Sequence, residues 1–287
     1  MTVVPQLLKW IGNKNKYANQ IIDLMPNDIN NYIEPFLGSG AILANLVNKN
    51  MNSENKIFNN AIGADILEPL IGIFHEVKNN PGNVANYYET IINEFNKDRE
   101  NTYLNVRERF NINRDPLDFM ILTRTCYSGI IRFRKRDGYM STPIGPHKPI
   151  PPERFRQRVE LWNSILENVT ILRSDFRETI NMAREGDLIY CDPPYTHSQS
   201  ILYGAQNFII ESLWDSLREA KNSGARIMLS INGKKKSKKE DIGIKIPYDI
   251  FQRYIYIDCG VSMINRLQRE GQSMHEENVH DMLLFSW

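Results

Sequence analysis

The chain has 287 residues, 41% of them apolar, which suffices for one large domain or two ordinary ones with a sizeable core. It reads as globular and soluble, with the cytoplasm as the expected location: no apolar run reaches bilayer-spanning length, and "MTVVPQLLKWIGNKNK" lacks a signal peptide's basic start and apolar core. Cys126, Cys191 and Cys259 lie far apart with no CxxC spacing, which argues against a disulfide framework and a zinc site; the net charge of +1 hides nine basic residues against two acids between Arg124 and Arg158, and a lysine run at 234–239.

In chain order, "LLKWIGNK" opens a loop ahead of a helix carrying Tyr17, Ile21 and Met25. "YIEPF" (32–36) reads as a short buried strand, "GSG" as a turn and "AILANLVNK" (41–49) as a helix. A second strand, 60–66, ends near Asp65. Residues 82–96 and 115–126 read as helices, and 131–144 as a hairpin turning tightly at Asp137-Gly138. Phe155, Val159, Trp162 and Leu166 fall at helical spacing. Strands at 168–175, 186–192, 225–232, 253–260 and 279–287 then alternate with helices through Met182 and at 209–222. The pattern predicts an α/β domain in two segments, 1–75 and 165–287, interrupted by a basic helical and hairpin insertion, 76–164.

In "EPFLGSG", Gly38 and Gly40 let the backbone turn tightly before a helix N-terminus with free amides, while Glu34 would repel a pyrophosphate and suit a cation. Asp65 ends the next strand, where a ribose-hydroxyl acceptor belongs in such folds. Together they are compatible with S-adenosylmethionine, whose sulfonium and ammonium are both positive. Lys14 suits a ligand carboxylate and Lys9 an anion. In "YCDPPY" the prolines end the strand at Asp192, which holds an acid, a stiff carbonyl and an aromatic ring at its carboxyl end. Arginines 132, 134 and 136 alternate, so on one hairpin strand they share a face, and arginine reads guanine in the major groove.

Taken together and in this order, "KWIGNK" (9–14), "EPFLGSG" (34–40), "GADILEPLI" (63–71), "SGIIRFRKRDGYMSTPIGP" (128–146) and "YCDPPY" (190–195) resemble the Dam-like, D12 class, α-group adenine-N6 DNA methyltransferases over nearly the whole chain. No one motif is decisive, but the ordered set is specific. The resemblance implies a Rossmann-like S-adenosylmethionine methyltransferase sheet with an inserted target-recognition domain, a monomer acting on double-stranded DNA without a metal. It assigns Trp10, Lys14, Glu34, Phe36, Gly38, Ser39, Gly40, Asp65, Asp175, Phe176 and Asp192 to the cofactor, Asp65 taking the ribose and Asp175 the adenine. Lys9, Tyr127, Ser128, Arg132, Arg134, Arg136 and Phe208 fall to the DNA. Members that read GATC show Tyr-Asn-Gly where this chain has Tyr127-Ser128-Gly129, a departure that argues against that target.

The resemblance gives the proline-rich turn a chemical meaning. An adenine's exocyclic amine is a poor nucleophile because its lone pair is delocalised into the ring. If Asp192 and the Pro193 carbonyl accept its hydrogens, the nitrogen is drawn towards tetrahedral geometry and its lone pair is freed for in-line attack. Pro194 stiffens the turn, and Tyr195 offers a face on which an extruded base stacks. The polar tail after Tyr195 reads as a lid or DNA-ordered loop. Its "SQSILYGAQ" resembles methylases paired with type IIS nucleases of the FokI kind, which modify GGATG or its complement CATCC and so point to a restriction-modification system with a cognate endonuclease. The rivals are an amine methyltransferase acting on RNA or protein glutamine, where Asn usually precedes Pro-Pro-Tyr, and an inert DNA-binding module.

Overall fold

Side chains alternate across a strand, so short runs that are apolar at every position bury both faces of a sheet. The computed structural model describes residues 2–194, 208–235, 245–261 and 278–287. Its seven strands are β1 (Asn31–Glu34), β2 (Asn60–Asp65), β3 (Val169–Arg173), β4 (Leu188–Cys191), β5 (Arg226–Lys235), β6 (Arg253–Val261) and β7 (Asn278–Phe285). They form one sheet in the order β3-β2-β1-β4-β5-β7-β6. The first five run parallel, and β7 lies antiparallel between β5 and β6. The order reverses between β1 and β4, which opens a crevice at their carboxyl ends, where open α/β sheets bind ligands.

The helices are α1 (Ala18–Ile22), α2 (Ala41–Met51), α3 (Glu68–Asn79), α4 (Pro81–Lys97), α5 (Arg99–Asn113), α6 (Pro116–Thr125), α7 (Pro152–Leu166), α8 (Phe176–Ile180) and α9 (Ile210–Asn222). One sheet face, with Ile33, Ile189, Cys191 and Leu229, packs against Leu213, Trp214 and Leu217 of α9. The other, with Tyr32, Leu188, Tyr190 and Met228, is continuous with the apolar residues of α2 to α7. Phe155, Val159, Trp162 and Leu166 are all buried, as their spacing predicts. Among the described residues, no helix is long and apolar enough to cross a membrane.

Two helices go beyond the sequence reading. α3 carries the apolar run after Asp65, and its Gly72 lets Pro116 approach to within 2.9 Å of where a Cβ would stand. α5 is mostly polar and buries only Thr102, Tyr103, Val106 and Phe110; the Asp98 side chain starts it by accepting the Asn101 amide.

The hairpin also needs correction. Arg134 N–H donates to the Tyr139 carbonyl at 2.9 Å and Gly138 N–H to the Arg134 carbonyl at 2.8 Å, which leaves 135–138 as a four-residue loop rather than a two-residue turn. Arg136 therefore sits in the loop and not on a strand face with Arg132 and Arg134. The cause is Asp137, whose carboxylate accepts the Tyr139 amide at 3.1 Å and so builds its own turn.

Three helices of the insertion meet at a buried carboxylate. Asp118 of α6 accepts hydrogen bonds from the Tyr87 hydroxyl of α4 and, at 2.6 Å, from Arg109 of α5. Asp118→Ala leaves both donors without their acceptor, and about 1–3 kcal/mol of stability is expected to go with it. Denaturant unfolding measures this, and a loss below about 0.5 kcal/mol, the size of an ordinary surface substitution, would contradict the assignment.

Candidate active site

A cleft of about 380 Å³ lies at the switch point. The resemblance assigned eleven residues to a cofactor, and ten of them line it: Trp10, Lys14, Glu34, Phe36, Gly38, Ser39, Asp65, Asp175, Phe176 and Asp192. Pro193, Pro194 and Phe208 line it as well. Gly40 lies just behind, as the N-cap of α2, with φ 67°. A Cβ on it would meet Trp162 and Phe74 at 3.3–3.4 Å, so both conformation and space require glycine there. Phe36, Phe176 and Phe208 form an aromatic triangle with centroids 5.3–5.9 Å apart. Phe208, expected on the DNA side, thus packs with two residues expected at the cofactor.

The N-terminal segment is held by side chains of the insertion. Consecutive carbonyls of Pro5, Gln6 and Leu7 accept hydrogen bonds from Trp162 (2.8 Å), Arg158 (2.7 Å) and Arg124 (2.7 Å). These three donors aim the residues that follow. Lys9 reaches the Tyr127-Ser128-Gly129 turn, where a Cβ on Gly129 would stand 3.0 Å from the Lys9 Cβ. Burial and nearby Arg124 push the Lys9 ammonium below its ordinary pKa. Trp10 packs under Gly38, whose hypothetical Cβ lies 3.3 Å from the indole nitrogen.

Lys14 goes somewhere the sequence did not suggest. Its ammonium lies 2.9 Å from Asp192 Oδ2 and 3.4 Å from Asp281 Oδ2, and it donates to the Gly12 carbonyl at 3.3 Å. Asp281, on β7, was missed because its strand reads as apolar. Asp65 accepts the amides of Gly38 and Leu67, each at 3.0 Å, and so ties the glycine turn to the end of β2. Asp175 caps α8 and is gripped at both oxygens by the Arg177 guanidinium, which holds its carboxyl below the usual range.

Carboxylates crowd this crevice. Glu34 is 3% exposed and accepts the Tyr32 hydroxyl at 2.7 Å. Burial pushes its pKa up to about 8; Asp192 and Asp65 add like charge, against the hydrogen bonds from Tyr32 and the Leu43 amide. Burial also raises Asp192, which Lys14 opposes and Asp281 reinforces, and it raises Asp65 against its backbone amides. The buried Tyr190 and Ser230 hydroxyls lie beside one another and close to Asp192.

On the insertion, Arg134 forks onto Asp137 and stacks 4.2 Å from the Tyr139 ring centroid. Arg136 shares Asp137 at 3.2 Å but is 77% exposed, and Arg132 is also exposed. Tyr127 is partly exposed, and Ser128 holds φ 56°, a left-handed conformation uncommon for serine. Tyr195, the tail after it and the side chains of the lysine run at 234–239 lie outside the described residues.

The Glu34 carboxyl has a testable consequence. Its folded pKa of about 8 stands above the ordinary 4.5, so the folded state holds a proton that the unfolded state lacks between those values. Stability is therefore highest below about pH 4.5 on this account and falls as pH rises towards 8. Glu34→Gln removes the titration, and its unfolding midpoint is expected to vary less with pH across that window than the unaltered protein's. Equal pH dependence in both would contradict the buried, protonated carboxyl.

Residues 10–242 match the family of D12 class N6 adenine-specific DNA methyltransferases. Relatives include the type II methyltransferase M.MjaIII of Methanocaldococcus jannaschii, 32% identical over 209 residues, covering 67% of this chain and 69% of that protein. The DNA adenine methylase of Haemophilus influenzae is 32% identical over 201 residues, 67% of this chain and 64% of its own. A type II methyltransferase, M1.LlaDCHI of Lactococcus lactis subsp. cremoris, is 26% identical over 239 residues, 77% and 79% of the two chains. With a family match across most of its length and a switch-point cleft bearing the family's motifs, the chain belongs to the D12 class N6 adenine-specific DNA methyltransferases.

Proposed function

We propose that the protein transfers a methyl group from S-adenosylmethionine to the N6 amine of an adenine flipped out of a specific duplex site. The observation that carries this reading is Asp192 beyond β4, facing the same cleft as Glu34 at the end of β1. The cleft's chemistry fits the cofactor: crowded carboxylates suit a ligand with two positive centres, the Tyr190 side chain lines the same space, and Gly38 and Gly40 keep the backbone low. The cofactor, when bound, supplies an electrophilic methyl on a positively charged sulfur. Glu34 and Asp65 hold its charged and hydroxyl groups, and Trp10, Phe36 and Phe176 cover its apolar surface. Asp192 and the Pro193 carbonyl accept the hydrogens of the target amine and orient its lone pair, and Tyr195 stacks on the extruded base.

Residues 76–164 act as the target-recognition domain of a monomeric enzyme. Arg134 is engaged by Asp137 and Tyr139, which favours exposed Arg132 or Arg136 as the reader of a guanine. Two relatives are named type II methyltransferases, which supports a place in a restriction-modification system beside a cognate endonuclease; GGATG with its complement CATCC is the target the tail suggests.

The test is labelled methyl transfer to duplex DNA, RNA and protein in parallel, with the modified nucleoside identified by mass spectrometry. Label is expected in DNA as N6-methyladenine. Asp192→Ala is expected to abolish it while calorimetry finds cofactor affinity nearly intact. Label in RNA or protein instead would overturn the substrate, and substantial residual turnover would remove Asp192 from the mechanism.

A further inference from the structure

A carboxylate in the middle of an apolar strand calls for a reason. Asp281 of β7 precedes the buried run Met282 to Phe285, stands opposite Asn232 of β5, and is 8% exposed. Desolvating a carboxylate costs several kcal/mol unless a cation accompanies it. The cation here is Lys14, which the fold also sets against Asp192. The side chains of all three are largely buried, at 11%, 22% and 11% exposure for Lys14, Asp192 and Asp281. An ammonium has three N–H donors. The Gly12 carbonyl, Asp192 Oδ2 and Asp281 Oδ2 supply three acceptors for them.

We propose that Lys14 and Asp281 are positioning residues for methyl transfer: Asp281 anchors the Lys14 ammonium, and Lys14 keeps the Asp192 carboxylate ionised and turned into the cleft. This rests on the reading of Asp192 as the acceptor for the target amine. It also moves Lys14 from the cofactor's carboxylate to the catalytic acid. Lys14 engages Oδ2, and Oδ1 of Asp192 is the oxygen this proposal gives to the amine. Among the described residues, titratable and polar groups surround Asp192 from several elements. Lys14 arrives from the N-terminal loop, Glu34 and Tyr32 from β1, Tyr190 and Cys191 from β4, Ser230 from β5 and Asp281 from β7, with Asp65 of β2 behind Glu34. Lys14 is the one cation among them. Without it, Asp192 would sit buried among like charges and take up a proton, which would end its capacity to accept one from the amine.

The two partners should act on Asp192 in opposite directions. Removing the ammonium with Lys14→Gln raises the Asp192 titration midpoint by about one pH unit or more, since an opposite charge this close shifts a carboxyl by about 1–3 units. Removing the like charge with Asp281→Asn, which keeps shape and an acceptor oxygen, lowers the midpoint. Carbon NMR of labelled aspartates in the full-length protein reads these midpoints directly, assigned through Asp192→Asn. The acid limb of the methylation rate should follow each shift, and calorimetric cofactor affinity should stay within about two-fold of the unaltered protein in both variants. A purely structural pair would change melting temperature and leave the midpoint in place. Unmoved midpoints, or shifts of the same sign, would overturn the proposal; so would a Lys14→Gln variant that loses ten-fold in cofactor affinity with Asp192 unmoved. If Asp281→Asn fails to fold, the Lys14→Gln midpoint decides, upward supporting the proposal and unmoved refuting it. Opposite shifts in a protein that methylates no DNA would refute the functional reading and leave the ionic coupling standing.

Discussion

Carboxylates withdrawn from water cost several kcal/mol each unless donors or cations stand beside them, and four of them, buried Glu34 and Asp281 and half-buried Asp65 and Asp192, gather at the carboxyl edge of the sheet with Lys14, among the described residues, as the cation paired with two of them. Each is relieved differently. Asp65 takes backbone amides, Glu34 takes a tyrosine hydroxyl and holds its proton, and Asp192 and Asp281 divide one ammonium. The result is a cleft with negative charge in reserve. Such a site favours a ligand that brings positive charge, and it disfavours the diphosphates that glycine turns at helix N-termini commonly hold.

The rest of the molecule keeps this arrangement in place. Strand order sets Glu34 and Asp192 on either side of the reversal, and Pro193 and Pro194 end β4 directly after the acid. Lys14 depends on the insertion as much as on the sheet. The segment that carries it is fastened through Pro5, Gln6 and Leu7 to Trp162, Arg158 and Arg124, and the same segment presents Lys9 to the Tyr127 turn. A stretch of ten residues thereby links the proposed DNA-reading surface to Asp192, the proposed acceptor for the target amine.

Local chemistry was legible in the sequence and distant pairing was not. Glu34, the glycine turn, Asp65 and the Asp-Pro-Pro run announce themselves because turn residues and strand ends are set by neighbours in the chain. Asp281 and Lys14 meet from opposite ends of it, and the hydrophobic pattern of β7 gives no hint that its single acid faces a lysine. The α5 helix escaped because its buried side chains are a minority on a polar surface, although Val106 and Phe110 keep helical spacing. The α3 helix was legible in principle, since Leu70, Ile71, Phe74 and Val77 keep helical spacing while Glu68, His75 and Asn79 stay exposed on another face. Arg136 was misplaced because alternation was carried past Arg134 into a loop, 135–138, that Asp137 shapes with its own side chain.

Proton-linked binding addresses the charge balance of the cleft most directly. Calorimetric titration at pH 7 in buffers of different ionisation enthalpy counts the protons exchanged when a ligand binds. S-adenosylmethionine, with its positive sulfur, should expel the Glu34 proton, and S-adenosylhomocysteine, which lacks that charge, should release fewer protons under the same conditions. Equal proton release by the two ligands, or none by either, would contradict a site whose crowded carboxylates select a cationic methyl donor.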